Sequence, residues 1–450
     1  EGEWWGGNKL HCTKNCWKQQ TRKMSKKLLE LSGIVELDAK WAQDKISAEV
    51  VCLRIDEERI VYGRMATLFA VDLYSDEGCE SKVKTIIVKR VVPEELGERD
   101  GSDADVFRAS AEKEICFYKE KCLGANNSLF PQVYALYERE QPTFGVITVM
   151  EDCVGSGYRH IRDISPSTMH RVGQTLDAFV SLYQSEMQPC VDWWRSNQKL
   201  VGLENGEFDK KRGGFWVLSR RQADLESVEE RWNSTVDRFG SVMLENQDEV
   251  AVRELGIKLA RVAAKLDDLV RSRSFGFIHG DAKSWNLFYA NEEESVSRPL
   301  ILIDMQWCGY GHPLQDFCYF MTTSVGAGSN TDLQQVWAHW LKIFREKLKA
   351  MLKNIQPSIA NIDVLAYNRY VETIVCDNFE SFESLASIIW LDYMRVILLG
   401  LWRRLSTEQQ EKNKTKIGIS LVTSSVDQMK WILASALKNV DRVDSLLGNI

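Results

Sequence analysis

Two periodicities divide the chain. From about residue 49 to 150, apolar residues alternate with polar ones or gather in short runs, as in strands; beyond 153 they recur every third and fourth residue, as in amphipathic helices. Upstream, the spacing predicts short helices over Met24–Leu31 and Ala39–Ile46 around Gly33, with Asp38 as N-cap of the second. Residues 1 to 20 show no period and are expected to be poorly ordered. Strands are predicted over Glu49–Ile55, Arg59–Tyr62 and Thr67–Leu73, and over Val83–Lys89 after the polar turn Asp76–Ser81. Helical spacing follows from Phe107 to Tyr118, then a hairpin of Phe130–Tyr137 and Thr143–Met150. Later helices are predicted over Ser165–Tyr183, capped by Ser165, and over Glu249–Arg271, whose stripe is Leu255, Leu259, Val262, Leu266 and Leu269. Residues 202–214 are polar and Gly-bearing and read as an irregular insertion. A sheet carrying one helix, then a helical remainder, gives an α+β fold.

Composition narrows the picture by exclusion. An apolar fraction of 44%, a charged fraction of 27% and 450 residues suit a globular chain with one large or two smaller cores. A net charge of −7, with no Lys/Arg stripe, leaves no footprint for nucleic acid. The most apolar window, Ala386–Trp402, is interrupted by Asp392 and Arg395 and reads as a buried helix, so no membrane span is expected. The eleven cysteines are odd in number and lack paired spacing, which predicts reduced thiols and a cytoplasmic setting. His11-Cys12 and Cys16 have no second Cys/His pair nearby to complete a metal site and read as stray thiols. The chain starts at Glu1 without Met, which suggests a fragment or trimmed form.

The chemistry concentrates between residues 275 and 306. Phe275-Gly-Phe-Ile-His279-Gly280-Asp281-Ala-Lys283-Ser-Trp-Asn286-Leu-Phe reads as a buried strand, a polar H-G-D-x-x-x-x-N loop and a second strand. Leu300-Ile-Leu-Ile-Asp304-Met-Gln306 is an apolar strand ending in Asp. An Asp and an Asn five apart, with a second Asp at a later strand end, suit phosphoryl transfer. The first Asp orients a hydroxyl and accepts its proton, while Asn286 and Asp304 offer oxygens to Mg²⁺ on nucleotide phosphates.

His279 to Asn286 with Ile303-Asp304-x-Gln306 resembles the aminoglycoside phosphotransferase and choline kinase superfamily. Gly311-His-Pro-Leu-Gln-Asp316-Phe-Cys-Tyr-Phe and Glu114-Ile-Cys-Phe-Tyr118 look like its CHK-type, ecdysteroid kinase-like branch, with matching order over roughly residues 45 to 325. The resemblance implies a two-lobed protein-kinase-like fold: an N-terminal extension over 1–47, a nucleotide-binding lobe over 48–153 and a helical catalytic lobe over 154–450, with ATP and Mg²⁺ in the cleft. It assigns Asp281 as catalytic base and Asn286 and Asp304 as metal ligands. Lys89 is the strand lysine for the α/β-phosphates and Glu114 its helix partner, although a solvated helix face also describes Glu114. Lys283 matches a lysine near the γ-phosphate. Met150, Glu151 and Asp152 stand at the hinge whose backbone reads adenine. Gly63 falls where the family covers the phosphates, and an ordinary hairpin turn reads nearly as well there. His279 and Asp316 become structural braces of the loop, Gln306 a support for the metal-binding strand, and Arg90 a solvated neighbour of Lys89 on the other strand face.

Departures from protein kinases set the acceptor class. Gly280 replaces the usual Arg, and only eleven residues separate Asp304 from Asp316, too few for an activation segment that docks a peptide. The expected acceptor is therefore a small-molecule hydroxyl of choline-, aminoglycoside- or ecdysteroid-like type. Trp337, Trp340, Asp377, Glu380, Glu383, Trp390, Asp392, Tyr393 and Trp402 could cage a cation or simply be core aromatics with solvated acids opposite. A catalytically inactive, kinase-like nucleotide-binding module is the alternative, and oligomeric state stays open.

Overall fold

The computed structural model describes residues 37–62, 66–93, 104–124, 128–139, 144–161, 164–197, 211–291, 298–326, 332–355, 364–402 and 426–448. They fall into two compact units: residues up to Arg159 with Ala290–Gln306, and His160–Tyr289 with the chain from Trp307 onward. The boundary expected near Cys153 thus lies at Arg159, and 290–306, expected in the helical lobe, belongs to the first unit. Long-range hydrogen bonds explain this return. Leu302 N–H donates to the Leu129 carbonyl, and Arg298 reaches both the Phe130 carbonyl and the Glu151 carboxylate.

In the first unit, helix α1 (Ala39–Lys45) begins as predicted, with Asp38 accepting from Trp41 N–H at 2.7 Å. Five antiparallel strands, β1 (Cys52–Tyr62), β2 (Thr67–Tyr74), β3 (Lys82–Val91), β4 (Val133–Arg139) and β5 (Gly145–Glu151), pair in the order β1-β2-β3-β5-β4. The two strands expected over 49–62 are one, with a register slip against β2 between Asp56 and Ile60 where the sequence turns polar. Helix α2 (Ala104–Lys121) connects β3 to β4.

Strand parity decides which side chains face which helix. Val71, Val88 and Val149 pack with Leu37 and Ala42 on the α1 side. Val91 and Val146 pack with Phe107, Ala111 and Ile115 of α2 on the other. Lys89, in step with Val91, faces α2. Arg90 does take the opposite face, but it is buried rather than solvated, because both faces of the sheet are covered.

Cysteine usage also departs from expectation. Cys52 and Cys79 form a disulfide across 27 residues, with Cα atoms 6.1 Å apart. The β1–β2 register places Cys52 opposite Tyr74, beside the turn that carries Cys79, so the hairpin creates a proximity the sequence spacing hides. Cys12, Cys16, Gly63, residues 1–20 and the Met24–Leu31 helix lie outside the described residues.

The second unit is mainly helical: α3 (His170–Ser185), α4 (Met187–Asn197), α5 (Val228–Met243), α6 (Glu249–Ser272), α7 (Leu314–Ser324), α8 (Leu333–Ile355), α9 (Val364–Val375), α10 (Phe379–Val396), α11 (Val426–Val440) and α12 (Val443–Gly448). Ser165 starts a short 3₁₀ turn, Pro166–Thr168, ahead of α3 rather than capping α3 itself. On α6 the buried stripe is Val252, Leu255, Leu259, Ala263, Leu266 and Val270, with Val262 and Leu269 half-buried at its edge. It packs against α5, α10 and α11 and leads into β6 (Gly276–Ile278), which pairs with β7 (Gly309–Gly311). The apolar window ending at Trp402 is buried as expected, with Arg395 Nη2 at 2.9 Å from Asp392 inside it. Among the described residues no helix is long and apolar enough to cross a membrane.

Candidate functional site

The loop after β6 is held from three sides within the second unit. Gly280 has φ of 77°, and a Cβ there would stand 2.1 Å from the Trp307 carbonyl oxygen and 2.6 Å from Gly214 N. No side chain fits. The N–H groups of His279 and Gly280 donate to the Asp316 carboxylate at 2.7 and 2.9 Å, so Asp316 anchors the loop from α7. Burial pushes the Asp316 carboxyl up to about 6, against the pull of His279 and of these two N–H groups. His279 is fully buried and accepts from Asp281 N–H through Nδ1 at 3.2 Å, a bracing contact.

Asp281 is 3% exposed, and both of its carboxylate oxygens are engaged. Oδ2 accepts from Lys283 Nζ at 2.8 Å and from Asn286 Nδ2 at 3.0 Å; Oδ1 accepts from the Tyr319 hydroxyl at 2.7 Å. Asn286 Nδ2 also donates to the Asp281 carbonyl at 2.8 Å, closing the loop into a ring. Burial, and then the neighbouring Asp281 charge, hold the Tyr319 hydroxyl well above the ordinary phenol range, so it remains a donor.

The end of the stretch read as an irregular insertion is built into this site. Arg212 pairs with Asp267 of α6 at 3.0 and 3.2 Å, Gly213 N–H donates to the Tyr310 carbonyl, and Gly214 N–H donates to the Trp307 carbonyl. This chain segment forms the floor that Gly280 rests on. Residues 202–210 lie outside the described residues.

The other half of the motif lies in the first unit. Lys89 Nζ is 2.8 Å from the Glu114 carboxylate and 2.5 Å from Asp304 Oδ1. Burial opposes the Lys89 charge, but Asp304 and then Glu114 outweigh it, so the lysine stays protonated above its ordinary range. Glu114 is buried, which removes the solvated-face reading. Asp304 has φ of 66°, an uncommon conformation for a non-glycine residue. Its N–H donates to the Tyr118 hydroxyl at 3.1 Å, and its Oδ2 accepts from Gln306 at 3.3 Å.

At the expected hinge, Met150 is buried in β5, and the carboxylates of Glu151 and Asp152 are taken up by Arg298 and Arg59. Glu151 N–H donates to the Gln132 carbonyl and the Asp152 carbonyl accepts from Ser156 N–H. The two acids therefore hold the fold with their side chains, and two of their backbone groups already have partners. Three of the later helices' acids and aromatics have partners within the fold. Trp337 and Trp390 pack with Trp431, Trp390 donates to Thr322, and Asp392 pairs with Arg395.

Each unit offers an oxygen of the kind a hard cation takes: in the second, Asn286 uses its Nδ2 inside the loop and leaves its amide oxygen unused there, and in the first, Asp304 keeps a partly exposed carboxylate. Among the described residues no three His, Cys, Asp or Glu side chains form a preassembled metal cluster. Mg²⁺ takes oxygens of these two kinds together with waters and phosphate oxygens.

Sequence reasoning missed Tyr118 and Tyr319. Both carried a helical signal: Tyr118 follows Glu114 by four residues and Tyr319 follows Asp316 by three, placing each on its neighbour's face.

Residues 209–357 match the model of the ecdysteroid kinase-like family. No curated protein matches the chain. Among solved structures, a Ralstonia eutropha JMP134 protein described as "a putative aminoglycoside phosphotransferase" is 14% identical, covering 90% of this chain and 97% of that one, with a TM-score of 0.40. A GDP complex of an aminoglycoside 2'-phosphotransferase-IIIa mutant is 10% identical, covering 84% and 99%, with a TM-score of 0.32. A thermostable mutant of aminoglycoside phosphotransferase APH(4)-Ia in ternary complex with ADP and hygromycin B is 11% identical, covering 82% and 99%, with a TM-score of 0.30.

Proposed function

We propose that the chain is an ATP- and Mg²⁺-dependent small-molecule kinase that transfers the γ-phosphoryl group to a metabolite hydroxyl. The observation that carries this reading is the meeting of Lys89, Glu114 and Asp304, brought from a strand, a helix and a distant loop to within 2.8 Å of the lysine. A buried lysine between two carboxylates is poised to exchange one of them for a phosphate. The family match over 209–357 supports the reading, since it spans Asp281, Asn286, Asp304 and Asp316.

In this reading Asp281 accepts the proton of the acceptor hydroxyl as its oxygen bonds to the γ-phosphorus and the bond to the β-phosphate oxygen breaks, releasing ADP. Lys283 lies beside that carboxylate and faces the transferred group. Asn286 and Asp304 would hold Mg²⁺, which when bound would neutralise phosphate charge. Main-chain groups of Met150, Glu151 and Asp152 and the backbone at Gly63 are assigned to the nucleotide. Residues 48–159 with 290–306 are the proposed nucleotide-binding lobe, and 160–289 with 307–450 the catalytic lobe.

The test is incubation with γ-labelled ATP, Mg²⁺ and a small-molecule extract, beside Asp281→Asn and Asp304→Asn. The expected outcome is a labelled metabolite from the parent alone, with nucleotide affinity kept in Asp281→Asn and weakened in Asp304→Asn. Equal transfer by parent and either variant would overturn the assignment. Nucleotide binding without transfer by the parent would favour the inactive module.

A further inference from the structure

We infer that Tyr319 is a positioning residue for the transfer proposed above, its hydroxyl fixing the rotation of the Asp281 carboxylate. The argument is geometric. Lys283 and Asn286 both hold Oδ2, at 2.8 and 3.0 Å. Oδ2 stands off the Cβ–Cγ axis, so these two bonds restrain a torsion that is otherwise intrinsically broad, but both come from the same loop as Asp281. Tyr319 holds Oδ1 at 2.7 Å from a different element, α7, and ties the carboxylate to the helix as well as to its own loop. The orientation of the lone pairs toward an incoming hydroxyl is then set before any substrate arrives, and a base preset in this way loses little at the moment of reaction.

The tyrosine is itself rigid. It is 3% exposed, and its ring sits 4.7 Å from Tyr393, 5.4 Å from Trp216 and 5.8 Å from Phe215, measured between ring centroids. It stands one helical turn beyond Asp316 on α7, and Asp316 holds the backbone of the same loop. One helix therefore fixes both the main chain at 279–280 and the side chain at 281. A shift of α7 would move both together, whereas loss of the hydroxyl alone would free only the carboxylate.

The inference rests on the kinase reading, and the experiment separates the two. Tyr319→Phe removes one hydroxyl and keeps the ring. The expected result is a fall in kcat of about 10- to 100-fold, the range of a hydrogen bond to a charged group, with KM for nucleotide and acceptor within about twofold of the parent. A residue that merely filled space would change neither. Unchanged kcat in a folded variant, or a loss confined to KM, would overturn the positioning role and leave the kinase reading standing. A parent without transfer would overturn both. In that case a thermal-unfolding cycle between Tyr319→Phe and Asp281→Asn, which needs no activity, still tells whether the hydroxyl and carboxylate are coupled.

Discussion

Lys89 Nζ and the Glu114 carboxylate lie 2.8 Å apart, both side chains buried, on a strand and a helix separated by 25 residues. Such a pair is costly to break and cheap to replace. Removing the cation leaves a buried carboxylate without its partner, typically about 3–5 kcal/mol, whereas an apolar pair of similar volume is often neutral. Asp304 is better placed to tolerate the loss, because its side chain is 23% exposed and water can reach it. Lys89→Met should therefore lower the urea midpoint strongly, and Lys89→Met with Glu114→Leu should recover most of it. Transfer activity should stay absent in both. Failure of the double variant to recover stability would show that the ion pair does more for the fold than charge neutralisation.

Gly280 and Gly173 make opposite predictions for the same change. Alanine at 280 requires φ of 77° and a Cβ 2.1 Å from a backbone oxygen, so Gly280→Ala should cost several kcal/mol or abolish soluble expression. Gly173 lies within α3, with Trp340 ring atoms at 3.6 and 3.7 Å from an added Cβ, an ordinary contact. Gly173→Ala should stabilise the chain by about 0.5–1 kcal/mol through helix propensity. Thermal melts of the two variants check both signs.

His312 should make stability depend on pH. Burial holds its imidazole down to about 3, against an ordinary 6.5, and its neutral ring bridges Leu314 N–H and the Ile374 carbonyl. Below 6.5 the unfolded chain takes up a proton that the folded chain refuses until about 3, so stability is complete above 6.5 and falls with pH, by on the order of 5 kcal/mol across the window. Asp316, held at about 6 against an ordinary 3.8, acts in the opposite sense, with stability falling as pH rises through that range. Comparing the parent with His312→Gln, which can still donate and accept, cancels the Asp316 contribution. Unfolding free energies measured between pH 4 and 7 should show a shallower decline toward acid in the variant.

Much of this site was readable from local pattern, because its parts obey local rules. The H-G-D-x-x-x-x-N spacing placed Asp281 and Asn286 on one loop, and Asn286 does close on Asp281. The alternation of β3 put Lys89 and Arg90 on opposite faces, and helical spacing put Glu114 in a stripe with Phe107 and Ala111. Asp38 was legible as a cap for the same reason, since its partner is three residues away.

What the pattern could not carry was the identity of distant partners. Nothing near Arg298 announces that it will hold Glu151, nor does the polar run before Arg212 announce a floor beneath Gly280. Cys52 and Cys79 look unrelated until the hairpin register sets them side by side, and Arg90 looks solvated until both sheet faces are seen to be covered. Period and spacing are properties of a few consecutive residues, so the sequence by itself determined most of the elements, the faces of β3 and of the helix after it, and the loop that carries Asp281 and Asn286. Hydrogen bonding and burial between segments up to hundreds of residues apart depend on how those elements pack. Only the tertiary structure decided that Tyr118 would hold Asp304, that Tyr319 would hold Asp281, and that the segment carrying Asp304 would return to the sheet.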